Sequence, residues 1–571
     1  MIFDRRLLVA GVFVAGAACN PALAQDAAPI TVTPQTLAPA QRGDGFQVEI
    51  PEAGALTAPE GAAGLTVILG EVTVEGGFVE VQDEIDSIVA PLRGHRVTLK
   101  EIYTAASAIE AAHARAGYVL ARASIPPQDL RDNGALRIIV TDGFVERVDV
   151  SGMPERVRDA VTARVHGLEG RHHISLREIE QALLISSEVP GLTLRSTLVR
   201  GEQPGGTRIV LEGSQARVSG SLAVDNGLAP SLGRWGVTAQ IAFNGLFGGG
   251  EQFYGFAASG YDPSHWFDGQ AKSRVLGGGA FVPFGAGRLV LNPEYTYSRT
   301  APQPGGGAPI SIGTLHRASM RAAYTLSRTR AHSLVINGTI EQLAERNALP
   351  QFGVDLSHDR YLTARIGLSV VGQSRAGTNY GVFAQLSQGL GDLGGISKAK
   401  AAASGVGYSR LGADNNFTKL IGQGRIGWWL GRDFDLSLAA RGQSSFGQPL
   451  LRSEQFALEG NDLVSAYVGG ATAVDEGVVA RSELSAHATL GSGKSAAVMA
   501  PYVFGAAGTG RIDRPTALER SGLQVAAVGA GLRLNLPGLG WGLSIEYAHG
   551  FADYAPLDNR DRVSVSTILR F

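Results

Sequence analysis

From residue 214 to the end the chain repeats one unit, about ten residues of alternating apolar and polar character followed by a break. In residues 478–490, Val478, Ala480, Leu484, Ala486, Ala488 and Leu490 hold one parity, and Arg481, Glu483, Ser485, His487 and Thr489 hold the other. Side chains alternate sides along a strand, so one face suits lipid and the other a wet lumen. The same split sets Trp235, Val237, Ala239, Ile241 and Phe243 against Thr238, Gln240 and Asn244, and Leu334, Ile336 and Ile340 against Ser333, Asn337, Thr339 and Glu341. Connections alternate in length. Short ones fall near 245–249, 283–287, 327–331, 372–377, 431–432, 491–495 and 537–540; long ones near 227–233, 262–272, 300–313, 344–360, 391–416, 444–477, 508–521 and 551–562. Tight turns on one side and long loops on the other are the habit of outer-membrane barrels, and this spacing predicts about sixteen strands. A soluble many-stranded protein also alternates, but seldom puts a long loop at every second turn. The final strand carries Val563, Val565, Thr567, Leu569 and Phe571 on one face. The terminal aromatic Phe571 makes the barrel-assembly machinery an expected partner, beside outer-membrane lipid.

The N-terminus reads as a signal peptide over residues 1–24: Arg5 and Arg6, an apolar run over 7–18, then Ala22-Leu23-Ala24. Cys19, the single cysteine, falls inside it, so the mature protein is expected to enter an oxidising compartment with no thiol. A near-even balance of 50 Lys and Arg against 52 Asp and Glu gives no hint of nucleic acid. Residues 25–62, rich in Pro, Ala and Gly without helical period, read as a flexible linker.

Between 63 and 213 one supersecondary unit occurs twice. Val97-Thr98-Leu99-Lys100-Glu101-Ile102 is echoed 77 positions later by Ile174-Ser175-Leu176-Arg177-Glu178-Ile179. Both are capping boxes, in which the hydroxyl caps the helix and the Glu three residues on reaches back. Leu99, Ile102, Tyr103, Ala106, Ile109 and Ala116 follow helical spacing, and each copy closes on a strand, 137–143 and 208–213. The predicted order β-α-α-β-β therefore repeats, over 63–143 and 144–213.

Two small α+β modules ahead of a large barrel resemble the TpsB transporters of two-partner secretion, whose modules are POTRA domains. The run Arg115-Ala116-Gly117-Tyr118-Val119-Leu120-Ala121-Arg122-Ala123-Ser124-Ile125-Pro126-Pro127-Gln128 resembles the signature of that family's first POTRA. Residues 453–460, Ser-Glu-Gln-Phe-Ala-Leu-Glu-Gly, resemble the start of its sixth extracellular loop, which folds back into the pore. Where the family continues with Val-Arg-Gly-Tyr, this chain has Val464-Ser465-Ala466-Tyr467; where a later strand carries the partner Asp, it has Ala506. Removing one member of a buried ion pair costs about 3–5 kcal/mol, whereas replacing both can be near neutral. A diverged but coherent barrel is expected. The resemblance implies an inward loop involving Glu454, Gln455, Phe456, Gly460, Val464, Ser465 and Tyr467, with Ala506 on the wall beside it. It also implies recognition of a secreted exoprotein by the first POTRA, near Leu99, Tyr103, Tyr118, Pro126, Pro127 and Gln128.

No catalytic, cofactor or metal constellation stands out. His172 and His173 are adjacent, without ligand spacing to other donors, and read as a solvated loop before the Ser175 cap. The expected function is non-enzymatic export of a partner polypeptide through the barrel. A barrel-assembly factor would usually carry three or more POTRA units, and a passive porin would need none.

Overall fold

The computed structural model describes residues 46–49, 58–260, 265, 270–303, 309–468, 472–517, 519–553, 557 and 560–571. The expected signal peptide lies outside them. Among the described residues no helix is long and apolar enough to cross a membrane.

The first module is a sheet in the order Arg96–Thr98, Thr66–Glu75, Gly134–Thr141, Arg122–Ser124, packed against helices Gln82–Val89 and Leu99–Arg115. Leu69, Val72, Ile85, Ile102, Ile109, Leu136 and Ile138 form its core. The long helix starts where its capping box dictates: Glu101 Oε2 accepts from Thr98 N at 2.6 Å, and Thr98 Oγ1 accepts from Glu101 N at 3.2 Å. In the second module Ser175 and Glu178 repeat the box at 3.0 and 3.3 Å and start the helix Leu176–Ser187. Its sheet runs Phe46–Glu49, Leu192–Arg200, Gly206–Gln215, Phe144–Gly152. The edge strand Phe46–Glu49 comes from the segment expected to be a flexible linker. It adds in parallel, Phe46 beside Leu194 and Glu49 beside Thr197.

His172 and His173 lie on the exposed loop expected before the Ser175 cap, and that loop also forms the joint between the modules. His173 adopts φ 53°, which turns its ring between Phe78 and Tyr118, with centroids at 4.4 and 4.5 Å. Its Nε2 lies 3.2 Å from Glu80, and its backbone N–H donates to Asp142. His172 lies beside Phe144 at 4.6 Å. Leu120 of the first module is buried in the core of the second, and Leu176 N donates to Gly117 O at 2.8 Å. A spacing argument tests histidines as ligands and overlooks their use as aromatic spacers.

The remaining strands close a sixteen-stranded antiparallel barrel, from Val218–Asp225 to Arg560–Arg570, with one strand interrupted between Glu476–Ala486 and Ala488–Leu490. The parity read from sequence holds: Val478 and Leu484 are exposed on the outside, while Arg481, Glu483 and Ser485 are buried inside. The expected long loop over 344–360 is replaced by strand. His332–Leu349 and Val354–Gln373 continue outward and are joined only across Pro350–Phe352. The inward residues of that extension, Leu343, Glu345, Asn347, Ser357, Asp359 and Tyr361, are all buried. Most are polar or small, which hid the strand in the pattern. A bulge at Asn347/Ala348 further breaks the alternation.

The second module sits under the short-turn rim. Arg328 pairs with Glu188 at 2.6 Å and Arg330 with Glu180 at 3.0 Å. Arg164 wedges against the turn at Gly287, where burial pushes its guanidinium down to about 10. A Cβ on Gly287 would lie 2.5 Å from Arg164 Nε, and φ there is +79°. Gly287→Val is therefore expected to displace the second module from the rim, read as a changed spin-label distance between module and barrel.

Hydrogen bonds from Thr98 and Ser175, backbone first, hold Glu101 and Glu178 below the usual carboxylate range. Both groups thus stabilise the folded helices above the ordinary value of 4.5, and that contribution is lost as pH falls through their lower folded values. Amide exchange in the first turns of both helices should rise on acidification below about 4.5. Glu101→Gln with Glu178→Gln should flatten the dependence.

Candidate pore loop and docking edge

Between Phe434–Ser444 and Glu476–Ala486 the chain leaves the barrel top and folds back inside. Within it Phe456–Ala457 pairs antiparallel with Ala473–Val474, and Val464 bridges back to Glu459. Two charged anchors hold this loop to the wall.

The upper anchor is Glu454. Its carboxylate takes a fork from Arg365, at 2.7 and 3.1 Å, with Lys419 Nζ at 2.7 Å and the Tyr361 hydroxyl at 2.9 Å. Its carbonyl accepts from Lys419 and Gln443. Gln455 donates to Asp475 at 3.2 Å, and the Arg441 guanidinium lies 5.3 Å from the Phe456 ring. Asp475 is in turn gripped by Arg410 at 2.6 Å, which also reaches Asp513 O and Glu519, so three outer loops share one cation.

The lower anchor explains Ser465 and Ala506. Ser465 is fully buried, and Ala506 faces inward directly opposite Arg481 in the sheet register. Arg481 lies over the Phe504 ring at 3.6 Å, pairs with Glu546 at 2.6 Å and Glu483 at 3.0 Å, and points Nη1 at Ser465 Oγ and the carbonyls of Asn461 and Leu463, each 3.4 Å away. Arg562, on the last strand, donates to the carbonyls of Ser465 and Tyr467 at 2.9 and 3.0 Å. The cation has moved from loop to wall, and loop carbonyls are its acceptors. Val464, Ala466 and Tyr467 pack with Tyr502, Phe504, Ala506 and Ala527. Gly550 leaves room for the tip, since a Cβ there would lie 2.7 Å from Ala466 Cβ. Gly460 stands at the turn where Leu463 N donates to its carbonyl. Sequence reasoning missed Arg365, Lys419, Arg410, Arg481 and Arg562. Their signal was a cation on the lumen parity of a strand, or in a long loop.

In the first module Leu99 and Tyr118 pack against the core, Tyr103 is half-buried on the helix, and Pro126 and Pro127 lie at the surface. Gln128 acts as a substitute strand: its side chain donates to Arg137 O at 2.8 Å and accepts from Arg137 N at 2.9 Å. On the edge strand Arg122–Ser124 the Ala123 N–H donates to Glu110 at 3.1 Å. In the second module Val148 N, likewise on an edge strand, donates to Glu169. The opposite edge, Leu192–Arg200, is covered among the described residues by Phe46–Glu49.

A closed barrel with an infolded charged loop above periplasmic POTRA modules defines an outer-membrane β-barrel protein of the POTRA-bearing class. The family profile for haemolysin secretion/activation protein ShlB/FhaC/HecB matches residues 205–534, and that for the ShlB-type POTRA domain matches 67–143. The chain belongs to the ShlB/FhaC/HecB family. It is 25% identical over 276 residues to the outer membrane transporter CdiB of Escherichia coli, covering 48% of this chain and 41% of that one. It is also 25% identical over 174 residues to the heme/hemopexin transporter protein HuxB of Haemophilus influenzae, covering 30% of this chain and 31% of that one. The matched stretches thus span less than half of these relatives. The solved structure of CdiB from Escherichia coli superposes with TM-score 0.69 at 20% identity, over 91% of this chain and 93% of that one.

Ser465→Arg would bury a second cation beside Arg481, a cost of about 3–5 kcal/mol if unpaired. Barrel thermostability should fall in the single variant and recover substantially when Ala506→Asp is added, measured by heat-modifiable migration.

Proposed function

We propose that the chain exports a partner exoprotein: the POTRA pair receives an unfolded segment in the periplasm and the barrel passes it to the surface. The observation that carries this reading is the pairing of a loop held inside the lumen by polar contacts with a sheet edge held, among the described residues, by the short strand Phe46–Glu49 of the same chain. Charge-assisted bonds to carbonyls can be exchanged for bonds to another backbone, so an entering polypeptide can replace the loop's acceptors at Arg481 and Arg562. Recognition is by strand addition along Leu192–Arg200, with main-chain bonds giving affinity and neighbouring apolar pockets giving choice. Phe46–Glu49 occupies that edge and competes with the partner. On the first module, Leu99, Tyr103, Tyr118, Pro126, Pro127 and Gln128 are the residues proposed to contact the partner. Nothing in this scheme needs bond chemistry by the transporter, and folding of the cargo outside supplies the direction.

Full-length protein in planar bilayers, exposed to the secretion domain encoded by a neighbouring exoprotein gene, should change its conductance. Deleting residues 46–49 should tighten binding of that domain several-fold. Unchanged conductance together with unchanged affinity would count against export by this route.

A further inference from the structure

On the outside of the barrel, at the end away from the POTRA modules, cations gather on one sector. The strands are Ser273–Phe284, Leu289–Thr300, Ile312–Arg328, His332–Leu349 and Val354–Gln373. Arg274 stands directly opposite Arg299, Arg299 opposite Thr314, Thr314 opposite Arg346, and Arg346 opposite His358. One step toward the membrane centre, Tyr297, His316, Ala344 and Arg360 form the adjoining row. Parity fixes the direction these side chains take. Their sequence neighbours Ser298, Glu345, Asn347, Asp359 and Tyr361 are buried inside, whereas the Arg346 side chain is 58% exposed and Arg360 is exposed.

Like charges directly opposite on one sheet face, as Arg274 and Arg299 are, are destabilising, and an anion beside them would offset that; Arg299 also donates to the Ala271 carbonyl at 2.9 Å. Asp355 holds Arg346 at 2.6 Å, and Arg274 lies against the Tyr297 ring at 5.6 Å. Further along the same strands the outward residues become apolar: Met320, Ile340, Ile366 and Leu368. The cations therefore lie at the margin of the lipid band on the long-loop side, with Tyr295 and Tyr297 between, as in an interfacial aromatic belt. Adjacent strands are about 4.8 Å apart, so Arg299 and Arg346, two strands apart, are separated by about 10 Å. At the POTRA-side rim, by contrast, Arg328 and Arg330 are paired with carboxylates of the second module.

The geometry points to a binding site for the phosphate groups of an anionic glycolipid of the outer leaflet, with Arg299 and Arg360 as phosphate ligands and Arg346 positioned between them. Guanidinium forks match phosphate oxygens, and clustered basic residues at a membrane margin select anionic headgroups. Two-phosphate lipids fit a row of this length better than single ions do.

The test uses full-length protein in a non-ionic detergent, titrated with bis-phosphorylated lipid A, with the same lipid after dephosphorylation, or with inorganic phosphate. The phosphorylated lipid should raise Tm by several degrees through preferential binding to the folded state, and the other two should not. Arg299→Gln/Arg360→Gln should lose most of that rise. Should this variant fail to fold, Arg299→Lys/Arg360→Lys, which keeps the charge without the fork, should give a reduced rise. An equal rise with dephosphorylated lipid or with inorganic phosphate, no rise in the native protein, or a full rise in the variants would each overturn the assignment.

Discussion

Charges on the inner wall of this barrel depend on partners, supplied partly by neighbouring strands, as Glu483 and Glu546 serve Arg481, and partly by a loop that folds back inside. Arg365, Lys419, Arg481 and Glu546 are largely buried, and a buried charge without a partner is costly. The infolded loop meets Arg365 and Lys419 with the Glu454 carboxylate and Arg481 with backbone carbonyls, while Glu546 is paired on the wall by Arg481 and Tyr502. Barrel closure satisfies the backbone, as a membrane wall requires. It leaves the lumen's side chains to be satisfied by one another, as Glu294 is by Arg317 and Arg321, and by the infolded loop.

The lower anchor shows how such a contact can change chemistry without losing geometry. Ser465 and Ala506 stand where the family resemblance implies an arginine and an aspartate, yet the tip remains buried. The guanidinium is supplied by Arg481, the strand neighbour of Ala506, and by Arg562. A carbonyl acceptor belongs to any residue, so this form of attachment constrains the loop's path more than its sequence.

The barrel was legible because two periods, alternation along strands and alternation of loop lengths, carry independent information. The capping boxes at Thr98 and Ser175 marked both modules for a similarly local reason. Long-range features were hidden. The extended strands around Glu345 and Asp359 present polar groups to other loops, and alternation cannot distinguish such a burial from solvent. The exposed loop at His173 was legible, but its contacts with Phe78 and Tyr118 were not, because those partners are distant in sequence. Gln128 fell within a motif whose presence suggested recognition, while its amide binds the chain's own Arg137. Phe46–Glu49 is too short and lies in too irregular a composition to announce a strand.

The joint at His173 has a mechanical consequence. With Leu120 set in the neighbouring core and an aromatic stack across the boundary, the two periplasmic modules behave as one stiff arm. A load applied at the far end arrives as torque where Arg164 bears on the turn at Gly287. A tug on the distal module is therefore felt at the barrel's base instead of being dissipated in a swivel.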